Sequence, residues 1–390
     1  MSLHLGQAGV GTGLAMWDTL CHNSGQQGGG VFFNETPQGD LLPRAVFGDL
    51  DAESLGPGVQ KIRMWGRSTF HYGKEDAASN YSRGRFDLAY KYSMLPSLQE
   101  GLRATLETCS SPQGLLTTCS LAGGGGSALA SLVLEQETFF SDHFAKKPRV
   151  SLALLPSPRF STSVVEPYNT SWALYDQEEH TDLFLHCDNQ ALYSMALAQG
   201  QPDPFLPHLN ALLADSLAPV LEALTSSSSL SSLTTNLVPS PSLKHTMASH
   251  RSPGSHQWTQ LLTNTRKIKL VLPAGKEGEA MASSVFTSQL WQQRLWMVEE
   301  ARKTRSGISL TSCCKRPQVQ PLQEELAMTN IYNSTSFAGN LHMINQQFDK
   351  LFQKRAFVHW YEGIGIESST WDYIRNRMQD LEENYLKGNV

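Results

Sequence analysis

A chain of 390 residues with 40% hydrophobic residues, 17% charged residues and a formal net charge of −5 can bury more than one core. The charge offers no electrostatic basis for nucleic-acid binding, and no window reaches the roughly 18 uninterrupted apolar residues of a membrane span. The cysteines (Cys21, Cys109, Cys119, Cys187, Cys313, Cys314) have no C-x-x-C spacing, which speaks against a zinc site or a disulfide framework. No basic segment leads into an apolar one at the N-terminus, so no signal peptide is expected and the chain reads as intracellular.

In chain order, the first feature is a glycine loop feeding a helix: Gly6-Gln7-Ala8-Gly9-Val10-Gly11-Thr12-Gly13 runs into Leu14, Met16, Trp17 and Leu20. Such glycines allow a tight turn and also let a ligand approach the backbone. Only residues 1–5 precede it, so the strand expected there is either stunted or truncated. After the loop-like span 25–39, Pro43-Arg44-Ala45-Val46-Phe47-Gly48-Asp49-Leu50-Asp51 carries apolar residues into two carboxylates spaced by one. In an extended segment the pair points the same way. At a strand end in an α/β sheet, Asp49 and Asp51 can hold Mg²⁺, directly or through water; the plain alternative is a solvated strand end that caps the next helix. The polar stretch 73–84 then offers Asp76 as an N-cap, with Asn80 and Arg83 on the following helical face.

The most informative stretch is Ser120-Leu121-Ala122-Gly123-Gly124-Gly125-Gly126-Ser127-Ala128. Its flanks, an apolar run over 114–121 and a helix-like run over 128–140, predict a strand, a bare loop and a helix. Glycine removes the Cβ that keeps the backbone from a ligand, and a helix N-terminus offers unpaired N–H groups and a positive dipole end, which suits a phosphate. The run fits neither G-x-x-x-x-G-K-[ST] nor G-x-G-x-x-G. Glycine runs also serve as linkers, but the flanking apolar segments favour the phosphate site.

Beyond residue 240 the composition turns Ser-, His- and Pro-rich, with Lys267-Ile268-Lys269-Leu270-Val271-Leu272 as a strand candidate. Residues 287–305 read as a helix whose Leu290, Trp291, Leu295, Trp296 and Val298 form a broad apolar face, in first instance a core face. Residues 337–385 show helical periodicity in two parts, divided by Glu362-Gly363-Ile364-Gly365.

These segments resemble those of eukaryotic tubulins. The matches come in family order: Gly6-Gln7-Ala8-Gly9; Pro43-Arg44-Ala45-Val46-Phe47 through Asp49; residues 73–78 with Asn80-Tyr81 and Arg83-Gly84; and the glycine run. They continue with Val165-Glu166-Pro167-Tyr168-Asn169, Asp188-Asn189, Thr235-Asn236-Leu237-Val238-Pro239 and Lys354-Arg355-Ala356-Phe357-Val358-His359-Trp360-Tyr361. They cover most of residues 1–240 and 335–385, while 240–330 match poorly. The chain is identified as a divergent member, closer in character to the delta, epsilon and zeta group than to the wall-forming alpha and beta chains.

The resemblance implies an α/β, tubulin-like fold: a Rossmann-like GTP-binding domain over 1–204, a core helix and partner-facing loop over 205–235, a smaller intermediate α/β domain over 236–335, and a C-terminal helical segment over 336–390. It implies GTP or GDP with Mg²⁺ as cofactors. The phosphates are expected against Gly6, Gln7, Ala8 and Gly11, against Ser120, Gly123, Gly124, Gly125 and Gly126, and against Asp76 and Ala77, with Asp49 and Asp51 near the metal. Glu166 corresponds to the ribose contact and Asn189 and Asn210 to the guanine readers, while Phe205 or Leu206 falls near the place of the stacking aromatic. Amide side chains, donor and acceptor at once, suit the guanine edge, and a carboxylate accepts from ribose hydroxyls.

The chain also departs from the family. It has Gly125 where tubulins carry threonine, Ala122 and Ala128 for glycines, Gly11 for glutamine and Ser79 for asparagine. Losing a hydroxyl and an amide removes two or three hydrogen bonds, each worth about 0.5–1.5 kcal/mol. In the run Thr225-Ser226-Ser227-Ser228-Ser229-Leu230-Ser231-Ser232, Ser229 and Ser232 stand where hydrolysis-competent interfaces carry acidic residues. Serine at its ordinary pKa is no general base, so no catalytic residue is expected and any enzyme activity is at most that of a GTPase. No glutamate-rich tail of the kind wall-forming chains carry is expected.

The expected function is that of a guanine-nucleotide-binding structural tubulin of the cytoplasmic microtubule cytoskeleton. Its expected partners are other tubulins, met end to end, and microtubule- or centriole-associated proteins, in a setting such as the centriole, basal body or cilium. Two rivals remain: an active filament-forming GTPase, and a nucleotide-free scaffold or adaptor.

Overall fold

The computed structural model describes residues 1–24, 31–35, 41–53, 69–157, 161, 163–201, 203–226, 229–251, 270–271, 280–287, 308–310 and 328–388. Strand β1 (Ser2–Leu5) is four residues long and wholly buried, and helix α1 (Gly6–Ser24) follows it directly. A small antiparallel pair, β2 (Phe33–Glu35) and β3 (Leu41–Pro43), leads into β4 (Ala45–Asp49) and, further on, β5 (Phe70–Tyr72). A π-helical stretch, Arg83–Leu88, runs into α2 (Ala89–Lys91), and α3 (Met94–Glu107) follows. Next come β6 (Leu115–Ser120), α4 (Gly125–Leu134), α5 (Glu137–His143), β7 (Arg149–Leu155), α6 (Glu166–Glu178), β8 (Leu183–Asp188) and α7 (Asn189–Ala198).

These strands lie parallel in the order β5-β4-β1-β6-β7-β8. Strands β6, β7 and β8 are buried along nearly their whole length on both faces, as in a parallel sheet covered on both sides. One cover is α1 with the long helix α8 (Leu206–Ser226), whose Leu209, Leu213, Leu217 and Leu221 recur every fourth residue and are buried. Helix α9 (Leu230–Leu237) joins that side. The other cover contains α3, α4 and α6.

The sheet does not stop at β8. Strand β9 (His245–Arg251) pairs parallel with it, Phe184 opposite His245. Beyond β9 lie β12 (Met328–Ser334), β10 (Ala280–Thr287) and β11 (Ile308–Leu310), with β12 antiparallel to both β9 and β10, so ten strands form one sheet. Three helices close the chain: α10 (Phe337–Phe352), the short α11 (Val358–Glu362) and α12 (Thr370–Lys387). They pack on α6 around the fully buried Trp371, Tyr361 and Phe348. The fold class is the expected α/β one. No described helix is long and apolar enough to cross a membrane.

Two boundaries differ from the sequence reading. The helix after the glycine run starts at Gly125 rather than at residue 128, so the last two glycines form its first turn, and it stops at Leu134 before a second helix begins at Glu137. Of the strand candidate 267–272 only Leu270 and Val271 are described. Leu270 accepts from the Asp188 amide at 2.8 Å and donates to the Ala248 carbonyl at 2.7 Å. Thr287 ends β10, and the rest of the helix expected over 287–305 lies outside the described residues.

Candidate functional site

From β1 the chain steps to β4 and β5 on one side of the sheet, whereas β6, β7 and β8 build out the other side. In open parallel sheets a crevice forms where the winding reverses, at the carboxyl ends of the strands, and ligands bind there. The segments that leave those ends are the ones singled out from sequence: Gly6 after β1, Asp49 closing β4, the 73–80 loop after β5, the glycine run after β6 and Asn189 after β8.

The two glycine loops meet backbone to backbone. Gly6 has φ of +73°, and a Cβ on it would fall 2.6 Å from Gly126 Cα; a Cβ on Gly126 would fall 2.6 Å from the Leu5 carbonyl oxygen. Only glycine fits at either position. A Cβ on Gly124 would lie 2.4 Å from the Asn80 amide nitrogen, so the third loop docks on the run as well. Gly123, in contrast, faces open space, with nothing within 4 Å of its Cβ position. Helix α4 starts here without a side-chain cap and without an acidic residue in its first turn. Its leading amides and dipole therefore point at a bare, uncharged loop, and this donor set fits a phosphate.

The third loop stores strain. Ala78 and Ser79, both non-glycine, have φ of 50° and 54°. Residues of this kind cost about 1–2 kcal/mol each in the left-handed region unless their surroundings hold them. The Asp76 carboxylate accepts from the Ala78 amide at 2.9 Å, and Ala77 is fully buried. Sequence reasoning passed over the other constraint, Asn169. Its amide nitrogen donates to the carbonyls of Ser79 (2.7 Å) and Ala122 (2.9 Å), while its oxygen accepts from the Tyr81 amide (3.1 Å) and the Tyr361 hydroxyl (2.6 Å). Asn169 lies three residues after Glu166 in the segment 165–169, and no local pattern marks it out from its neighbours.

Asn210 on α8 reaches α1. A Cβ on Gly11 would sit 2.5 Å from Asn210 Nδ2, and the Thr12 hydroxyl donates to Asn210 Oδ1 at 3.3 Å. The room left by the glutamine-to-glycine departure is thus shared with Asn210. Asn189 opens α7 and is half-buried, with Asp188 capping that helix by accepting from the Gln190 amide at 2.7 Å. Glu166 is buried at the start of α6 and accepts from the Ser163 amide at 3.3 Å. Phe205 is 63% exposed, and its ring lies 4.2 Å from that of His208, centroid to centroid. Gln7 is exposed, and Ala8 and Ser120 are half-buried.

The acidic pair is not two neighbours on one strand face. Strand β4 ends at Asp49, and the chain bends at Leu50, so the alternation rule does not reach Asp51. Asp49 is buried, accepts from the Leu50 amide at 2.7 Å, and has its Oδ1 3.6 Å from the Cβ position of Gly125. Asp51 accepts from the Glu53 amide at 3.1 Å. Among the described residues no group of three or more His, Cys, Asp or Glu side chains is placed to hold a metal ion. Asp49, beside the first turn of α4, fits a cation carried in with phosphates.

Ser229 and Ser232 have a structural task. The Ser232 amide donates to Ser229 Oγ at 3.1 Å and the Ser229 amide to Ser232 Oγ at 3.2 Å, a reciprocal capping box at the start of α9.

Fold and site together define an α/β protein in which two glycine loops meet at the switch point of its sheet. Residues 1–196 match the family described as "Tubulin/FtsZ family, GTPase domain". The chain belongs to the tubulin family. It is 30% identical over 440 aligned positions to the "Tubulin alpha-3 chain" of Saccharomyces cerevisiae, covering 99% of this chain and 97% of the relative. It is 31% identical over 437 positions to the "Tubulin alpha chain, nucleomorph" of Guillardia theta, covering 99% and 96%. With the "Tubulin alpha chain" of Eremothecium gossypii the identity is 30% over 436 positions, covering 98% and 95%.

Proposed function

We propose that this chain is a guanine-nucleotide-binding structural tubulin of the microtubule cytoskeleton. The observation that carries the reading is the contact of Gly6 with Gly126, which leaves Gly123 and the first turn of α4 as an anion seat in a family whose matched domain is a GTPase domain. The α4 amides and the third loop hold the phosphates, Glu166 the ribose, and Asn189 and Asn210 the guanine edge, with Phe205 at the base. When bound, the nucleotide and its Mg²⁺ supply a compact negative charge, offset by the metal beside Asp49 and Asp51, and a hydrogen-bonding purine edge.

In this reading residues 1–204 are the nucleotide domain, 205–235 the core helix and partner-facing loop, 236–335 the intermediate domain and 336–390 the C-terminal helical surface. The partners are other tubulins joined end to end, together with microtubule- or centriole-associated proteins. Heterologous contacts of that kind propagate into filaments. The setting is the cytoplasmic cytoskeleton, with a place at centriole, basal body or cilium as the finer proposal. Identities near 30% and the altered residues Gly11, Ser79 and Gly125 support a divergent subtype of the delta, epsilon and zeta kind. The relatives named above are alpha chains, which favours an alpha-like position in a heterodimer as the second reading. The serine capping box disfavours hydrolysis in a neighbouring subunit.

Titration with a fluorescent GDP analogue tests the proposal. The wild type is expected to bind, with competition by GTP and not by ATP, and Gly126→Ala is expected to weaken binding at least about tenfold because its Cβ meets the Leu5 carbonyl. No saturable binding by the folded wild type, or equal competition by ATP, would overturn it.

A further inference from the structure

Asn169 is fully buried, and its side chain makes four hydrogen bonds, the full complement of an amide. One goes to the third loop at Ser79, one to Tyr81 at the start of the helical stretch after it, one to the glycine run at Ala122, and one to Tyr361 of α11. The same loop and the helical stretch after it grip the α11 region elsewhere. Asn80 Nδ2 donates to the Trp360 carbonyl at 3.2 Å, and Ser82 Oγ lies 3.1 Å and 2.9 Å from the carbonyls of Tyr361 and Ile364. The Cβ position of Gly365 is 3.2 Å from the Phe86 ring. On the solvent side α11 exposes Trp360, whose ring rests on Phe357.

We propose that Asn169 is a positioning residue through which the phosphate-side loops and helix α11 set each other's position. The state of the phosphates is thereby coupled to the surface around Trp360. The proposal rests on the reading of these loops as the nucleotide site. GTP and GDP differ only in the terminal phosphate, and both loops that Asn169 joins lie on the phosphate side. Ala78 and Ser79 are held in a costly conformation, so a shift of the third loop releases strain there. By linkage, whatever binds at α11 then changes the preference for GTP over GDP by the same factor that nucleotide exchange changes its own binding.

A purely structural Asn169 would stabilise the fold without altering that preference. The experiment therefore measures the ratio of GTP to GDP affinity for the wild type, Tyr361→Phe and Asn169→Asp, with the thermal midpoint of each protein without nucleotide as the control for folding. Hydrogen exchange of the α11 amides is followed in the GTP- and GDP-bound wild type. Tyr361→Phe removes one hydroxyl that bonds Asn169 and none of the residues assigned to the nucleotide, and is expected to change the affinity ratio about three- to tenfold, with the α11 amides exchanging differently in the two bound forms. Asn169→Asp turns a donor toward two carbonyls into an acceptor and is expected to weaken both nucleotides further. Wild type that binds both nucleotides, with an unchanged ratio in Tyr361→Phe and identical α11 exchange, overturns the coupling alone. Wild type that binds neither overturns the nucleotide reading and the coupling with it.

Discussion

At Gly125 the space for a side chain already exists: its Cβ position lies 3.4 Å from Leu50 and 3.6 Å from Asp49 Oδ1, ordinary contact distances. Gly125→Thr is therefore expected to be tolerated in the first turn of α4, to restore a hydroxyl beside Asp49 and to tighten GDP-analogue binding about three- to tenfold, one net hydrogen bond's worth. Unchanged or weaker affinity in a folded variant would show that the hydroxyl is not missed. Ser79 offers a second test. Its φ of 54° suits asparagine better than serine, so Ser79→Asn is expected to stabilise the protein by about 0.5 kcal/mol, read as a higher denaturation midpoint in urea. A lower midpoint would mean that the loop does not hold this conformation. Asn169 shows where reading by residue ends. Its partners lie 88, 90, 47 and 192 positions away, and no local pattern announces a four-way contact over such separations.

The elements nearest the crevice were legible because each is written locally. An apolar run gives β6, the glycines give the bare turn, and the apolar run after them gives α4, buried on all sides. The three-residue error at the start of α4 has a physical cause: glycine is a poor helix former, yet tertiary contact with Gly6 holds Gly126 in the first turn. The resemblance puts the serine-rich run in a partner-facing loop, whereas Ser229 and Ser232 are the start signal of α9. Replacing either by alanine leaves an amide unpaired and is expected to cost about 1 kcal/mol of stability, with no loss of nucleotide affinity. A loss of affinity without a loss of stability would give the serines a role at the site instead.

For the whole molecule, the continuous sheet across β8 and β9 was not readable, since it depends on Phe184 pairing with His245 across 60 residues of helix and loop. That junction carries a pH dependence. His186 and His245 are hydrogen-bonded to each other at 2.8 Å and stacked between Phe184 and Phe337, with Tyr385 packed on His245 and its hydroxyl on the His245 backbone. Burial lowers His186 to about 3 and His245 well below its ordinary value, with the neighbouring imidazole and Lys244 pushing the latter the same way. Burial also lowers His4 to about 3 and His250 to about 4. Each binds a proton when unfolded before it does when folded, so the unfolded state gains protons as pH falls below about 6.5. Stability is complete above that value and is lost progressively toward the folded values. A fall in the thermal midpoint between pH 7.5 and pH 5.5, reduced in His245→Phe, is the expected result, and a flat profile would contradict it.

The central claim, that the double glycine cradle holds a guanine nucleotide, is tested most directly by the nucleotide content of protein purified without added nucleotide, released by denaturation and separated by chromatography. Near-stoichiometric GTP or GDP is the predicted result. A site that is empty as purified, and still empty after incubation with excess GTP and Mg²⁺, would contradict it.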